Sequence, residues 1–247
     1  MKVSIITVVL NNQDFLREAI ESVLHQSYKN IEYIIVDGGS NDGSLNIIQQ
    51  YGNQITKIIS EPDNGIYDAM NKGIALATGE VIGFLNADDF YAHKQVIEHV
   101  VQRFSMNHCE VVYADLNYVS RTDKNKIIRK WRSGNYHPQA FEKGWMPPHP
   151  TFFASQSAYQ KWGGYVQELN QSADYELMLR FLYLHKAKCF YLPEVLVHMR
   201  VGGQSNRSFK NRLMANIQDR KAWKINQLRP KWYTLLLKPI SKIAQFF

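Results

Sequence analysis

Four short apolar runs, each leading into a segment of helical periodicity, limit what this chain can become more than any other feature of it. Residues 3–10 carry no charge and read as a buried strand. The next segment places Leu16, Ile20, Val23 and Leu24 on one helical face. Residues 31–36 form a second strand that ends in Asp37-Gly38-Gly39-Ser40. Asn41 or Asp42 can cap the following helix, which turns Leu45, Ile48 and, at the margin, Ile47 inward. Residues 57–60 are a third short strand, and 71–77 belong to a helix stopped by Gly79. Residues 80–85 are the fourth strand, with a helix over about 94–104. This alternation predicts a mostly parallel, Rossmann-like α/β sheet with helices on both faces.

In open sheets of this kind, ligands bind beyond the carboxyl ends of the strands. The fourth strand ends in Asn86, Asp88 and Asp89. Two adjacent carboxylates repel unless a positive charge sits between them and a ligand, and a hard divalent cation holding a diphosphate suits that place.

The second half changes character. Residues 110–120 and 126–132 read as a hairpin around Thr122-Asp123-Lys124-Asn125, and 133–148 as a loop rich in Gly, Pro and aromatics, of a kind that covers a site more often than it packs a core. A short strand over 151–154, a helix over 174–185 carrying Leu177, Met178, Phe181 and Leu182, and a last strand over 189–199 complete the body. The expected organisation is one domain over 1–206, with a nucleotide-binding half (1–105) and a mixed, acceptor-binding half (106–206), followed by a basic amphipathic tail over 207–247.

With 247 residues, 45% of them hydrophobic and 21% charged, the chain is long enough for a substantial core. Its net charge of +7 is unevenly spread. Residues 1–206 hold 19 Lys and Arg against 21 Asp and Glu, a balance of −2, whereas 207–247 hold 10 against 1, a balance of +9. Charge confined to a tail points to an anionic surface, membrane or nucleic acid. Within the tail, Leu213 and Ile217, with Met214 and Ala215, share a helical face, and after Pro230 Trp, Tyr, Leu and Phe mix with Lys and no acid. That pattern fits a segment lying in a membrane interface, or a helix packed on the domain's own body. No run is long enough to span a bilayer, and no signal peptide is visible. Cys109 and Cys189, each in a strand-like run, are expected to be buried free thiols in a reducing compartment.

Six segments together resemble the family 2 inverting glycosyltransferases, whose catalytic domain has the GT-A fold. They are Ser4-Ile-Ile-Thr-Val-Val9, Glu32-Tyr-Ile-Ile-Val-Asp-Gly-Gly-Ser40, Glu61-Pro-Asp-Asn-Gly-Ile-Tyr-Asp-Ala-Met-Asn-Lys-Gly73, Gly83-Phe-Leu-Asn-Ala-Asp-Asp89, His149-Pro-Thr-Phe-Phe153 and Ala173-Asp-Tyr-Glu-Leu177. Each is weak alone; six in order at compatible spacing are specific. The likeness covers about residues 3–205 and is nearest to the branch that builds bacterial surface polysaccharides such as O-antigen.

The resemblance implies that Asp37 accepts the N3–H of a uracil, and that Thr7, Val9, Gly38, Asp63, Asn64, Gly65, Asp68, Asn71, Asn86, Ala87 and Asp88 line the nucleotide-sugar pocket. Gly38 and Gly39 permit close approach of a ligand. Asn86-Ala87-Asp88 stands where the family has Asp-X-Asp. Asn86 is the departure: a poorer metal ligand than Asp and a better ribose or phosphate partner. Asp88 is therefore the expected direct contact to Mn²⁺ or Mg²⁺. Asp89 either caps the next helix or orients its neighbour. Many relatives carry Arg where this chain has Met70; Tyr67, Asp68 and Lys72 are the nearby substitutes.

Asp174 is the expected general base. An inverting transfer needs one group to take the acceptor hydroxyl's proton, and an Asp at a helix start stays ionised. Glu176 is the alternative, two residues along and so pointing elsewhere. His149 touches the diphosphate or metal, or shapes the acceptor wall. No second His or Cys lies at ligand spacing from it, so no zinc site is expected. Trp145 and Arg200 join Asp89 and His149 as acceptor or phosphate contacts, and Gly202-Gly203-Gln204-Ser205 closes the last strand. The tetrad Gln204-Ser-Asn-Arg207 lacks the Trp that follows the similar motif of processive synthases.

The implied activity is transfer of one sugar from a UDP-sugar to a hydroxyl of a lipid-linked saccharide, in the cytoplasm at the inner face of the bacterial plasma membrane. The tail would hold the membrane surface, and a homo-oligomer is open. Three competitors are weaker. A sugar-nucleotidyltransferase calls for a Gly-rich first loop, which Leu10-Asn11-Asn12-Gln13 lacks. A nucleic-acid-binding module would have its phosphates repelled by the strand-end acids. The last is a degenerate transferase that only scaffolds.

Overall fold

The computed structural model describes residues 1–202 and 209–241, with the side chains of 209–216 and 239–241 excepted. Residues 203–208 and 242–247 lie outside the described residues, and with them Gly203, Gln204, Ser205 and Arg207. The side chains of Leu213, Met214 and Ala215 are also outside.

The first half follows the hydrophobic pattern. β1 (Val3–Val9) and β2 (Ile31–Asp37) pair in parallel, with Val9 opposite Asp37. β3 (Lys57–Ser60) adds to β2 on one side and β4 (Val81–Phe84) to β1 on the other, both parallel. β1 and β4 are buried at every position, so both faces are covered. β3 alternates half-buried and exposed residues, as an edge strand does.

α1 (Gln13–Leu24) buries Leu16, Ala19, Ile20 and Val23. α2 (Ser44–Gln50) buries Ile48; its N-cap is Gly43, and Asp42 instead accepts from the Ser44 N–H and Oγ. α3 (Ile66–Leu76) contains most of the expected helical stretch 71–77 and starts directly after the Asp63-Asn64-Gly65 turn. The reason is local: Asp68 in its first turn accepts from the Asn64 N–H at 3.0 Å and fixes the start.

The whole sheet is mixed, not mostly parallel as the sequence suggests. Its order is β3-β2-β1-β4-β8-β6-β9-β5, with β7 beside β6. β5 (Phe90–Tyr91), β6 (Val111–Val119), β7 (Ile127–Trp131), β8 (Phe153–Ser155) and β9 (Cys189–Arg200) form its second half. β4–β8, β6–β8, β6–β7 and β5–β9 are antiparallel; only β6–β9 is parallel there. The strand–helix crossovers stop after α4 (Val96–Asn107), and β8 enters between β4 and β6 from a loop running the opposite way. Gly83 makes this junction possible: a Cβ there would lie 2.3 Å from Cε1 of Phe153.

The 133–148 segment packs a core where a cover was expected. Trp145 donates its Nε1–H to the Ser133 carbonyl at 2.7 Å and meets Tyr113 and Phe141 edge-on. α5 (Gln156–Trp162), unforeseen in the sequence, is capped by Ser155 Oγ accepting from the Ala158 N–H. The predicted 174–185 helix is α6 (Ala173–Met178) running directly into a π-helical turn (Leu179–Leu184). Both cysteines are free.

The tail is helical: α7 (Phe209–Ile225) and α8 (Thr234–Ser241). Its described part packs on the body. Trp223 is fully buried and donates to the Tyr175 hydroxyl at 2.9 Å. Lys238 pairs with Asp219 at 2.6 Å over the Tyr175 ring. Ile217, Ile225, Trp232 and Leu236 remain exposed. Among the described residues no helix is long and apolar enough to cross a membrane.

Candidate active site

The carboxyl ends of β1, β2 and β4 and the start of α3 converge on one rim. Asp37, at the end of β2, is buried; its carboxylate accepts from Ser60 Oγ at 2.6 Å and from the Ser40 N–H. Asp63 lies over Gly38, where any Cβ would stand 2.2 Å from its Oδ2. The glycine is thus required by Asp63 itself, besides any ligand. Asp63 Oδ1 also accepts from the Gly65 N–H at 2.9 Å, shaping the turn with exposed Asn64. Asp68 accepts from Gln167 and pairs with Lys72, which also meets Glu61 at 2.8 Å; Lys72 is thereby held at the surface.

Beyond β4 lies the second cluster. Asn86 Nδ2 faces Asp89 Oδ2 at 3.1 Å and His149 Nε2 at 3.4 Å. Across the ring, His149 Nδ1 faces Asp174 Oδ2 at 3.4 Å. Tyr67, the second residue of α3, donates its hydroxyl to Asp174 Oδ1 at 3.4 Å and stacks on Tyr165. These contacts are long for hydrogen bonds, as those of ligand-free sites often are. Burial, followed by the charge of Asp174, holds the Tyr67 hydroxyl well above its ordinary range, so it stays a donor. Burial pushes the His149 imidazole down, against the opposing pull of Asp174 and Asp88, so the ring is neutral at pH 7. With Asn86 donating to Nε2, the neutral ring carries its proton on Nδ1, toward Asp174.

Asp89 does not cap a helix: β5 follows it, and α4 starts only at Val96. It is fully buried, and burial together with Asp88 next door pushes its carboxyl well up. Burial also raises Asp88, against the charges of Arg121, Arg200 and His149. Of the two, Asp89 is the more deeply buried and its carboxyl is pushed up further, leaving Asp88 as the half-buried carboxylate of this strand end, next to buried Ala87.

A family model described as Glycosyl transferase family 2 matches residues 4–164, more than half of the chain. The chain belongs to glycosyl transferase family 2. An uncharacterized glycosyltransferase of Mycobacterium tuberculosis is 31% identical over 186 residues, 72% of this chain and 68% of that protein. One from Rickettsia typhi is 30% identical over 207 residues, 81% and 64% of the two chains. Among solved structures, S. aureus TarS 1–349 in complex with UDP-GlcNAc superposes with a TM-score of 0.66 at 16% identity, over 92% of this chain and 70% of that one. The Pyrobaculum calidifontis mannosyltransferase PcManGT, in complex with GDP-Man and Mn²⁺, gives 0.64 at 12% identity, over 100% and 81%. These likenesses establish an α/β GT-A-like fold with C-terminal helical segments.

In this glycosyltransferase the donor set at the end of β4 fits a hard divalent cation. The Asn86 amide presents its NH₂ to Asp89 Oδ2 and His149 Nε2 and turns Oδ1 away. That Oδ1 is buried and has no hydrogen-bond partner. An orphaned carbonyl-type oxygen two residues before the Asp88 carboxylate, on the same strand end, is a donor of the kind Mg²⁺ and Mn²⁺ take.

The other expected contact residues have partners within the protein. Thr7 is buried, with its hydroxyl against Tyr33, and Val9 is buried beside Asp37. Asn71 closes both amide atoms on the Tyr165 main chain, at 2.8 and 2.9 Å, and so ties α3 to the 163–165 segment. Trp145 sits in the loop's aromatic cluster. Arg200 is buried between Phe15 and Phe90, paired with Glu18, and donates to the Asp88 carbonyl at 2.6 Å. It braces the acidic strand end from behind. Glu176, the alternative base, is fully buried in a pair with Arg180 at 2.8 Å and accepts from Asn226. Tyr67 was legible as a neighbour of the pocket; its contact with Asp174 crosses 107 positions and left no local signal.

Proposed function

We propose that this family 2 enzyme transfers a single sugar, with inversion, from a UDP-sugar to a hydroxyl of a lipid-linked saccharide in surface-polysaccharide assembly. The observation that carries the reading is the line Asn86–His149–Asp174, which joins the strand-end acids to the base. Asp174 takes the proton of the acceptor hydroxyl as its oxygen attacks the anomeric carbon and the bond to the diphosphate breaks. His149, neutral and proton-forward on Nδ1, orients that carboxylate, and Tyr67 holds its other oxygen. Asp88 and Asn86 Oδ1 would hold Mn²⁺ or Mg²⁺, which supplies charge compensation for the departing diphosphate.

Asp37 would accept an N–H of the base at the rim formed with Gly38 and Asp63. TarS has been solved with UDP-GlcNAc and PcManGT with GDP-Man, so both nucleotides belong in the test. Residues 1–105 would form the donor half and 106–206 the acceptor half. For the tail, exposed Trp232 and Leu236 among basic residues support contact with an anionic membrane surface on the cytoplasmic side.

The test is nucleotide release from UDP-GlcNAc, UDP-glucose or GDP-mannose, with Mn²⁺ and a polyprenyl-diphosphate saccharide. Asp174→Asn should lower the rate about 10²–10⁴-fold with the circular dichroism spectrum unchanged. Equal release by wild type and variant would remove Asp174 as base. Release from GDP-mannose alone would remove the uracil assignment of Asp37.

A further inference from the structure

Away from the nucleotide rim, the chain that leaves the acidic cluster builds a second group of metal-ligand type. His93 follows β5, His99 lies on α4 and Glu194 on β9. His93 Nε2 is 2.9 Å from Glu194 Oε1, and His99 Nδ1 is 2.8 Å from Glu194 Oε2. One ligand atom from each residue lies within 4.8 Å of the others. The sequence showed only scattered histidines; β5–β9 pairing and the docking of α4 on β9 bring these two to one carboxylate.

We infer that His93, His99 and Glu194 form a transition-metal site, best suited to Zn²⁺, that clamps α4 and the β5 turn to β9. Two imidazole nitrogens and one carboxylate are a borderline donor set that selects zinc over magnesium or calcium. Tetrahedral bonds of about 2.0–2.1 Å set neighbouring ligand atoms about 3.4 Å apart. From the single oxygen Glu194 Oε1, His93 Nε2 at 2.9 Å and His99 Nδ1 at 3.1 Å need open only by a few tenths of an ångström, with the two ring nitrogens within 4.8 Å of each other.

Two further observations point to a ligand. His93 Nε2 is buried and close to Glu194, yet is not aligned for a hydrogen bond to it. His198, on β9 opposite Phe90, has a buried Nδ1 without a hydrogen-bond partner. Water completes the shell of the three ligands. Two costs are visible: a metal on His93 Nε2 moves that ring's proton to Nδ1 and releases the exposed 3.2 Å bond that Nδ1 accepts from the Gln95 N–H, and a metal on His99 Nδ1 replaces its 2.8 Å hydrogen bond with Glu194.

The consequence is mechanical. Phe90, first residue of β5, packs on Arg200, which braces Asp88. A metal fastening β5 to β9 stiffens the support of the acidic strand end and shares no ligand with Asn86 or Asp88.

The experiment is calorimetric titration of ZnCl₂ into chelator-stripped full-length protein, with thermal melts run in parallel. One equivalent should bind and raise Tm. Glu194→Gln, which keeps the side chain's shape, and His99→Ala should each weaken binding at least about tenfold and abolish the zinc-induced rise. Asp88→Asn should bind zinc as wild type does. Co²⁺ in place of zinc should show the visible absorption of a four-coordinate site. Absence of binding by folded wild type overturns the inference, as does full retention in Glu194→Gln/His99→Ala, or loss in Asp88→Asn. Either result leaves the Asp174 test untouched, since that test reads nucleotide release.

Discussion

His149 Nδ1 faces the Asp174 carboxylate at 3.4 Å, and the same ring's Nε2 meets the amide of Asn86. The ring therefore links the Asn86 strand end to Asp174, the proposed base. Asn at position 149 can place an N–H near Nδ1, whereas Ala cannot. His149→Ala should lower kcat about tenfold to a hundredfold, in line with loss of an orienting contact, with little change in KM. His149→Asn should recover part of it. Steady-state kinetics check both.

The same ring gives a pH signature. His149 is held below its ordinary value of 6.5 chiefly by burial. Below pH 6.5 the unfolded chain then binds more protons at this residue than the folded one, so stability should rise as pH rises toward 6.5. Urea unfolding of His149→Asn across this range should give a flatter profile than wild type.

Asn86→Asp restores the family's carboxylate but places it about where Nδ2 now meets Asp89 Oδ2 at 3.1 Å. Losing that donor and adding a like charge should cost about 1–3 kcal/mol without divalent cation. Mn²⁺ should raise the Tm of the variant more than that of wild type, and EDTA should reverse the gain. Thermal melts with and without Mn²⁺ decide it.

Arg200→Met should destabilise by about 2–3 kcal/mol, less than the loss of a fully buried pair because the Glu18 side chain keeps 29% exposure. Without the Arg200 side chain, the Asp88 carbonyl loses its 2.6 Å donor, so activity should fall beyond any loss of folded protein. Chemical denaturation and kinetics at matched folded fraction separate the two.

Glu32, the second residue of β2, is buried opposite Ser4 of β1. Burial raises its carboxyl, but hydrogen bonds from Ser4, Thr78 and Lys2 outweigh that and hold it far below the ordinary 4.5. A depressed folded value stabilises above about pH 4.5, and this contribution fades as pH falls toward the folded value. Glu32→Gln should lower stability at pH 7 and flatten the loss between pH 4.5 and 3, as read by urea midpoints.

The two tail tryptophans should part company. Trp223→Ala empties a fully buried site and should cost about 3–5 kcal/mol. Trp232, 83% exposed, should be neutral for stability on substitution by Ala but should weaken sedimentation with phosphatidylglycerol vesicles. Equal vesicle binding by wild type and Trp232→Ala would argue against lipid contact through this face.

The sequence by itself determined the parallel half: β1 to β4 and their helices stand within a few residues of the pattern, because hydrophobic periodicity and turn residues act locally. It also placed Asp88 at a strand's carboxyl end, for the same reason. Only the tertiary structure decided what meets across distance. The 133–148 segment became core because Trp145 and Phe141 found Tyr113 and Tyr175. β8 entered antiparallel because Phe153 fills the space left by Gly83. Arg200 became a brace because Glu18, 182 positions away, received it. His149 met Asp174, and His93 and His99 met Glu194, through sheet pairings between strands far apart in the chain. Such contacts have no period in sequence; they exist only once burial has closed the sheet and left each polar group to find a partner.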